Sequence, residues 1–326
     1  MNYWSSTFAI GSLQVPRFIG GPLDGITDAP FRQLVREYDT HSLLFTEMRH
    51  VGSVAADKTG ERTLRFLPLE RPINYQVAAN AVRDIQVAAE KIQRAGVDAI
   101  DLNIGCPAKN VVSSGSGSAL MADLPRLKEI VMALREHVRV PFTVKMRAGF
   151  KQQNAVDVAQ MLEQCGVDAL SIHPRLQSQH FSGRPDYALA GAVKKAVLIP
   201  VIISGGVVNA ALARMVYEQA GVDGYLIGRG IWSKPWKLAE LQAHVEGREY
   251  IITPAQVLSA ALRHFDLMLD YYGPHGLYCF RKHLPFYLKG LPGAATLRAD
   301  LVSSTDEAYI RTTLQRLKDS LDGQTL

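Results

Sequence analysis

The chain is short of cysteine, with Cys106, Cys165 and Cys279 the only three in 326 residues. Three scattered thiols exclude a disulfide framework, a Cys-rich metal site and an iron–sulfur cluster. Long apolar runs are missing too, and no basic residue precedes Arg17. The opening stretch MNYWSSTFAIGSLQVPRF therefore resembles neither a signal peptide nor a membrane anchor. Low-complexity tracts and linker-like segments are absent as well. A cytoplasmic protein with no metal, no membrane span and no obligate protein partner is the expectation.

What is present suits a folded enzyme. Hydrophobic residues make up 47% and charged residues 21%, ordinary values for a chain that buries a core. The net charge of +5 and pI near 9.0 admit an anionic partner such as RNA. A solvated surface of mixed charge gives the same totals.

The most informative pattern is an internal repeat. Gly-Val-Asp-Ala-Ile-Asp-Leu-Asn from Gly96 to Asn103 recurs from Gly166 to His173 and again from Gly221 to Gly228. Each unit ends a helix on glycine and opens a short apolar run of buried-strand character. A second pattern interleaves with it, in which Pro72, Pro141 and Pro200 open runs that reach Gln76, Lys145 and Ser204. Proline is tolerated at a strand's first residue. Between the runs lie helical periodicities through Ile85, Ala88, Ala89 and Ile92, and through Leu127, Ile130, Val131 and Leu134, the latter with Asp123 as N-cap.

Adding Phe18 to Gly20 and Leu43 to Glu47 gives eight strands, the number that closes a parallel barrel. A doubly wound open sheet uses the same local signals. Ile10 to Val15 reads as a short hairpin able to plug a barrel's bottom. From about Thr253 the pattern becomes wholly helical, with nearly balanced charge. The expected organisation is a catalytic α/β domain over 1–248, its hairpin plug within 1–16, and a helical domain over 249–326.

Barrel chemistry sits at the carboxyl ends of the strands, which makes Gln76, Asn103, Lys145, His173, Ser204 and Gly228 candidates. Any one of them also fits a strand simply meeting water. The glycine-containing loops Ser204-Gly205-Gly206 and Gly228-Arg229-Gly230 follow the last two strands, where barrels commonly hold a phosphate on backbone N–H groups. Arg229 can add a charge-assisted contact. Cys106 lies in Asn103-Ile104-Gly105-Cys106-Pro107 just beyond the fourth strand, whereas Cys165 and Cys279 read as small buried hydrophobes. Lys145 either snorkels to solvent or stabilises negative charge developing on a bound ring.

Several stretches resemble the tRNA-dihydrouridine synthase family. They are Gly21-Pro22-Leu23-Asp24-Gly25 running on to Arg32, Asn103 to Lys109, Gly117 to Leu120, Lys145-Met146-Arg147, the His173 loop, and Ile227 to Gly230. In the helical tail, Arg281-Lys282-His283 and Tyr287 to Gly293 are similar to the family's RNA-binding part. The resemblance favours a (β/α)8 TIM barrel followed by a smaller all-α domain. It implies FMN in the barrel mouth, NADPH as reductant, and tRNA as partner. Hydride would pass to C6 of a uridine in the D-loop region, with Cys106 giving the proton to C5.

By the same resemblance Pro22, Leu23, Asp24, Gln76, Lys145 and His173 would meet the flavin ring. Ser204, Gly205, Gly206, Gly228 and Arg229 would hold its phosphate. Asn103, Lys109, Arg147, Arg175, Arg281 and Lys282 would face uridine or RNA. The chain departs from the family pattern at Gly21 and Leu23, at Pro174 and Leu176, and at Ser204-Gly205-Gly206, where Asn-Gly-Asp is usual. Two rival readings are a flavin barrel reducing a free pyrimidine and an RNA-binding chaperone without turnover.

Overall fold

The computed structural model describes residues 2–180 and 182–322, so the outermost expected domain limits, at residue 1 and at 323–326, lie outside the described residues. The described residues form eleven strands: β1 (Phe8–Ile10), β2 (Leu13–Val15), β3 (Phe18–Gly20), β4 (Leu44–Phe45), β5 (Arg49–His50), β6 (Ile73–Ala78), β7 (Ala99–Asn103), β8 (Phe142–Gly149), β9 (Ala169–Leu176), β10 (Val201–Ser204) and β11 (Gly224–Ile227). Eight of them, β3, β4 and β6 to β11, pair in parallel around a ring, and the pairing of β4 with β6 closes it.

Helices wrap the outside in chain order: α1 (Ala29–Arg36), α2 (Val51–Ala56), α3 (Ile85–Arg94), α4 (Lys109–Ser113), α5 (Leu124–His137), α6 (Ala155–Gln164), α7 (Tyr187–Ala196), α8 (Ala210–Ala220) and α9 (Lys237–Val245). The periodic stripes explain their seating. Ile85, Ala88, Ala89 and Ile92 of α3, and Leu127, Ile130, Val131 and Leu134 of α5, are all buried against the barrel. Asp123 caps α5 by accepting from the Arg126 N–H at 3.2 Å. Burying each such aliphatic side chain contributes roughly 1.5–3 kcal/mol.

Two sequence expectations shift. The Leu43 to Glu47 run is not one strand: β4 covers only Leu44–Phe45, and pairing with β6 resumes at Arg49–His50. Between them Glu47 turns its carboxylate to the Gly25 N–H and to Arg49. β6 runs past Gln76 because Val77 and Ala78 pair with β5, and β8 and β9 run past Lys145 and His173 because their ladder continues to the Gly149 and Leu176 pair through a bulge after Arg147. Those three residues therefore sit inside strands.

The β1–β2 hairpin packs Phe8, Ile10 and Val15 onto Ile19, Leu43, Phe45, Ala169, Ile202 and Leu226, closing the amino-terminal end of the barrel. Beyond α9 come α10 (Pro254–Tyr272), α11 (His275–Phe280), α12 (Leu284–Tyr287), α13 (Ala294–Ser303) and α14 (Glu307–Ser320), with a hydrophobic core of their own. α10 starts on a capping box in which Thr253 accepts from the Gln256 N–H and Gln256 from the Thr253 N–H. Among the described residues, no helix is long and apolar enough to cross a membrane.

Candidate active site

The barrel strands bury a set of polar side chains, Asn74, Gln76, Asp101, Asn103, Thr143 and Arg147 among them. Side chains two apart on a strand share a face, so Asn74 and Gln76, Asp101 and Asn103, and Thr143, Lys145 and Arg147 all point to one side of their strands. They join in a chain. Asn74 Nδ2 donates to Thr143 Oγ1 at 2.9 Å, and Thr143 Oγ1 donates to Asp101 Oδ1 at 2.6 Å. Gln76 Nε2 donates to Asp101 Oδ2 at 2.7 Å, and Asn103 Nδ2 donates to Gln76 Oε1 at 2.9 Å.

Asp101 accepts from both Thr143 and Gln76, so it orients the Gln76 amide, and Gln76 in turn orients Asn103. The freed Asn103 Oδ1 accepts from the N–H groups of Gly105 and Cys106, at 2.9 and 2.8 Å. The thiol loop is tied down from other sides as well. Ser118 donates its N–H and hydroxyl to the Cys106 carbonyl, and Arg147 Nε donates to the Gly105 carbonyl at 2.8 Å. Cys106 itself stays partly open, unlike the buried Asn103 beneath it.

The loop faces a cavity of about 1120 Å³ over the carboxyl ends of the strands. Opposite it, Gly205 and Gly206 have φ of +101° and +88°, values that L side chains rarely adopt. A Cβ on Gly205 would lie 2.6 Å from His173 Nε2, and one on Gly206 2.2 Å from the Tyr187 hydroxyl. The backbone here leaves a cradle only glycine permits. Arg229 and Gly228 border the same space.

The surrounding field is positive. Burial, then the cations of Lys145, Arg147, Arg175 and Arg229, push the His173 imidazolium down to about 2, so the ring is neutral. Burial and the neighbouring Arg147 lower the Lys145 ammonium, while Asp101 beneath pulls the other way. Burial pushes Asp101 up to about 7, opposed by its hydrogen bonds to Thr143 and Gln76 and then by Lys145. Four cations around one imidazole make a pocket that favours anionic groups.

The expected residues divide by place. Pro22, Leu23, Asp24, Asn103, Cys106, Lys109, Lys145, Arg147, His173, Ser204, Gly205, Gly206, Gly228 and Arg229 all line the cavity. Gln76 does not reach the wall: it is 1% exposed and its amide serves Asp101 and Asn103. Arg175 is buried behind His173, donating to the Gly183 carbonyl. Arg147 reaches the wall but donates to the carbonyls of Gly105, Leu176 and His180.

Arg281 and Lys282 are outside the cavity. Arg281 donates to the carbonyls of Ser303 and Ser304 and covers Tyr278, and Lys282 lies near Gly25. The wall also includes residues the sequence reading passed over, among them His180, Trp232, Lys234, Lys237 and Phe286. Lys289 and Gly290, in the tail stretch singled out above, join them.

Fold and site together define a (β/α)8 barrel whose mouth combines a thiol loop, a glycine cradle and a cluster of cations. Comparison with known proteins narrows the class. The profile of the dihydrouridine synthase family matches residues 19–322, and the chain belongs to that family. A relative named tRNA-dihydrouridine synthase B from Pseudomonas aeruginosa is 36% identical over 304 residues, 90% of either chain. A probable tRNA-dihydrouridine synthase 1 from Synechocystis is 34% identical over 91% of this chain and 85% of its own. Among solved structures, morphinone reductase superposes with a TM-score of 0.57 at 13% identity, covering 74% of this chain and 89% of that one, a likeness of fold.

Proposed function

We propose that the chain is an FMN-dependent tRNA-dihydrouridine synthase that uses NADPH to reduce a uridine in the D-loop region of tRNA. The residues present fit the cofactor. Gly205 and Gly206 leave backbone N–H groups and the space of two absent side chains for a phosphate, and Arg229 and Gly228 border it. These positions compensate for the departure at Ser204-Gly205-Gly206, since a phosphate is held by backbone as well as by side chains. Pro22, Leu23, Asp24, Lys145 and His173 are the wall residues left for the ring.

Bound in this mouth, FMN would supply the hydride chemistry that links NADPH to C6 of the uracil. The chain's own groups do the rest. Lys145, with Asp101 beneath it favouring its charged form, would stand where negative charge develops on that ring. Cys106, held by Asn103, Ser118 and Arg147, donates its Sγ proton to C5, which completes the reduction of the C5–C6 bond. Asn103 keeps one Nδ2 hydrogen for a uracil carbonyl, its other donor being given to Gln76. Gln76 thus acts through Asn103.

The observation that favours this reading over a free-pyrimidine enzyme is the cavity's wall: Phe286, Lys289 and Gly290 of the helical part line the same space as Cys106. A free base needs no such second wall. The reading carries a cytoplasmic location with it, where tRNA substrates reside.

The test is the Cys106→Ala variant. It is expected to purify yellow and to be reduced by NADPH at the wild-type rate, while turnover on unmodified tRNA falls by about 100-fold or more. Wild-type turnover in that variant would remove Cys106 from the proton-donating role, and a wild-type protein unable to bind FMN would end the redox reading.

A further inference from the structure

Trp232, in the segment after β11, and Phe286, in α12, stack with ring centroids 4.0 Å apart and planes 25° from parallel. Both line the cavity that Cys106 faces. Neither belongs to the barrel core or to the helical core, and Phe286 is 41% exposed while its α12 neighbours Leu284 and Tyr287 are buried. The Trp232 Nε1–H is buried without a hydrogen-bond partner among the described residues. Two exposed lysines, Lys234 and Lys289, flank the pair and share its wall.

The stack is held in advance of any ligand. Ser233, between Trp232 and Lys234, has φ of +56°, a left-handed backbone uncommon for a side-chain-bearing residue. Its hydroxyl lies 3.2 Å from both the His283 carbonyl and His283 Nδ1, which locks the turn onto the start of α12. Such conformations persist where the surroundings over-determine them, commonly at ligand clamps. The cavity, at about 1120 Å³, also exceeds the roughly 300–1,000 Å³ of pockets that enclose one small molecule.

We propose that Trp232 and Phe286 form a stacking platform for a nucleotide of the tRNA next to the uridine that enters the cavity, with Lys234 and Lys289 on the flanking phosphates. Aromatic faces beside cations are the general means of holding an unstacked strand, because every base has a π-face and every linkage a charge. Extracting one uridine from a folded RNA unstacks its neighbour, and the platform replaces the lost partner. The proposal rests on the tRNA-reducing reading above.

The experiment measures binding of an unmodified tRNA transcript to the FMN-loaded enzyme. Phe286→Leu keeps apolar packing and removes the π-face, and should weaken binding roughly 10- to 100-fold, whereas Phe286→Tyr should stay within about 3-fold. Replacing Lys234 and Lys289 together by alanine should lower the slope of log affinity against log salt by about 1.4 to 1.8. Flavin content, reduction by NADPH and melting temperature should stay at wild-type values in each variant.

Quenching of tryptophan fluorescence by tRNA gives a second readout, expected to shrink in Trp232→Phe, which preserves the stack. Unchanged tRNA affinity in Phe286→Leu, or undiminished quenching in Trp232→Phe, overturns the platform while leaving the proposed activity intact. A wild-type holoenzyme that binds no tRNA overturns the activity and the platform together.

Discussion

Asn103 is the residue on which the site turns, since one side of its amide holds the thiol loop and the other is held by Gln76. Removing the amide leaves two loop N–H groups and the Gln76 oxygen unpaired, at a cost of roughly 1–3 kcal/mol for each buried group. Asn103→Ala and Gln76→Leu should each lower kcat on tRNA about 10-fold or more while flavin stays bound and reducible by NADPH. Because they act on one chain of bonds, the double variant should lose less than the two effects multiplied, and full additivity in that cycle would separate Gln76 from the loop. Gly206→Ala meets a harder limit, with φ of +88° and the Tyr187 hydroxyl in the way. Its FMN affinity should fall by at least about 10-fold, read by flavin release on dilution. Asn103 was legible in the sequence because it ends a repeat, and Cys106 because it lies in the glycine- and proline-bounded loop just beyond it. Asp101 and Thr143 were not, for inward-pointing polar residues within a buried run look like core, and the Trp232–Phe286 contact joins segments with no shared pattern.

At the scale of elements, the proline and glycine punctuation located six of the eight barrel strands, two apolar runs supplied the rest, and the ends of several were misjudged. Periodicity marks a buried run, whereas a strand's end depends on its neighbour: β8 and β9 extend because they go on pairing with each other beyond the rim. The same limit hid what the start of α1 does. Asp28 caps that helix by accepting from the Phe31 N–H, and its other oxygen accepts from the Tyr272 hydroxyl of α10 at 3.2 Å. Burial first, and then the carboxylate of Glu47, push Asp28 up to about 6 from 3.8. A raised carboxyl means the folded state disfavours the charged form. The penalty is complete above about pH 6 and is relieved as pH falls from there towards 3.8. Asparagine caps helices as well as aspartate does. Asp28→Asn should therefore raise stability by on the order of 1–3 kcal/mol at pH 7.5, with the gain gone by about pH 4. Thermal melts at both pH values check this, and a loss at pH 7.5 would mean the charge is needed for docking α10.

For the molecule as a whole, the change to a purely helical pattern near Thr253 was plain in the sequence, but the seam between the two cores was not, because it is assembled from Phe31, Ser233, His264 and His283. The two histidine rings lie 4.4 Å apart at its centre, His264 Nδ1 beside the Tyr287 hydroxyl at 3.1 Å and His283 Nδ1 beside Ser233 Oγ. Burial, and then Lys282, push His264 down to about 3, and burial with His264 and Lys282 as neighbours holds His283 well below its ordinary range. Both are neutral in the folded chain and protonate on unfolding below about pH 6.5, so their share of the stability is whole above that pH and is lost as pH falls. Each contributes up to about 1.4 kcal/mol per pH unit in that window, and Asp28 offsets one of them between about pH 6 and 4. His264→Gln, whose amide can still meet the Tyr287 hydroxyl, should flatten the acid slope by about 1.4 kcal/mol per pH unit, measured by denaturant unfolding at pH 7 and 5. An unchanged slope would assign the acid sensitivity to other groups, with the buried His173 first among them. Because His283 also anchors the Ser233 turn beneath Trp232, acid should loosen the platform before the barrel. Affinity for tRNA should then decline at a higher pH than flavin retention does, and simultaneous loss of both would show that seam and barrel yield as one unit.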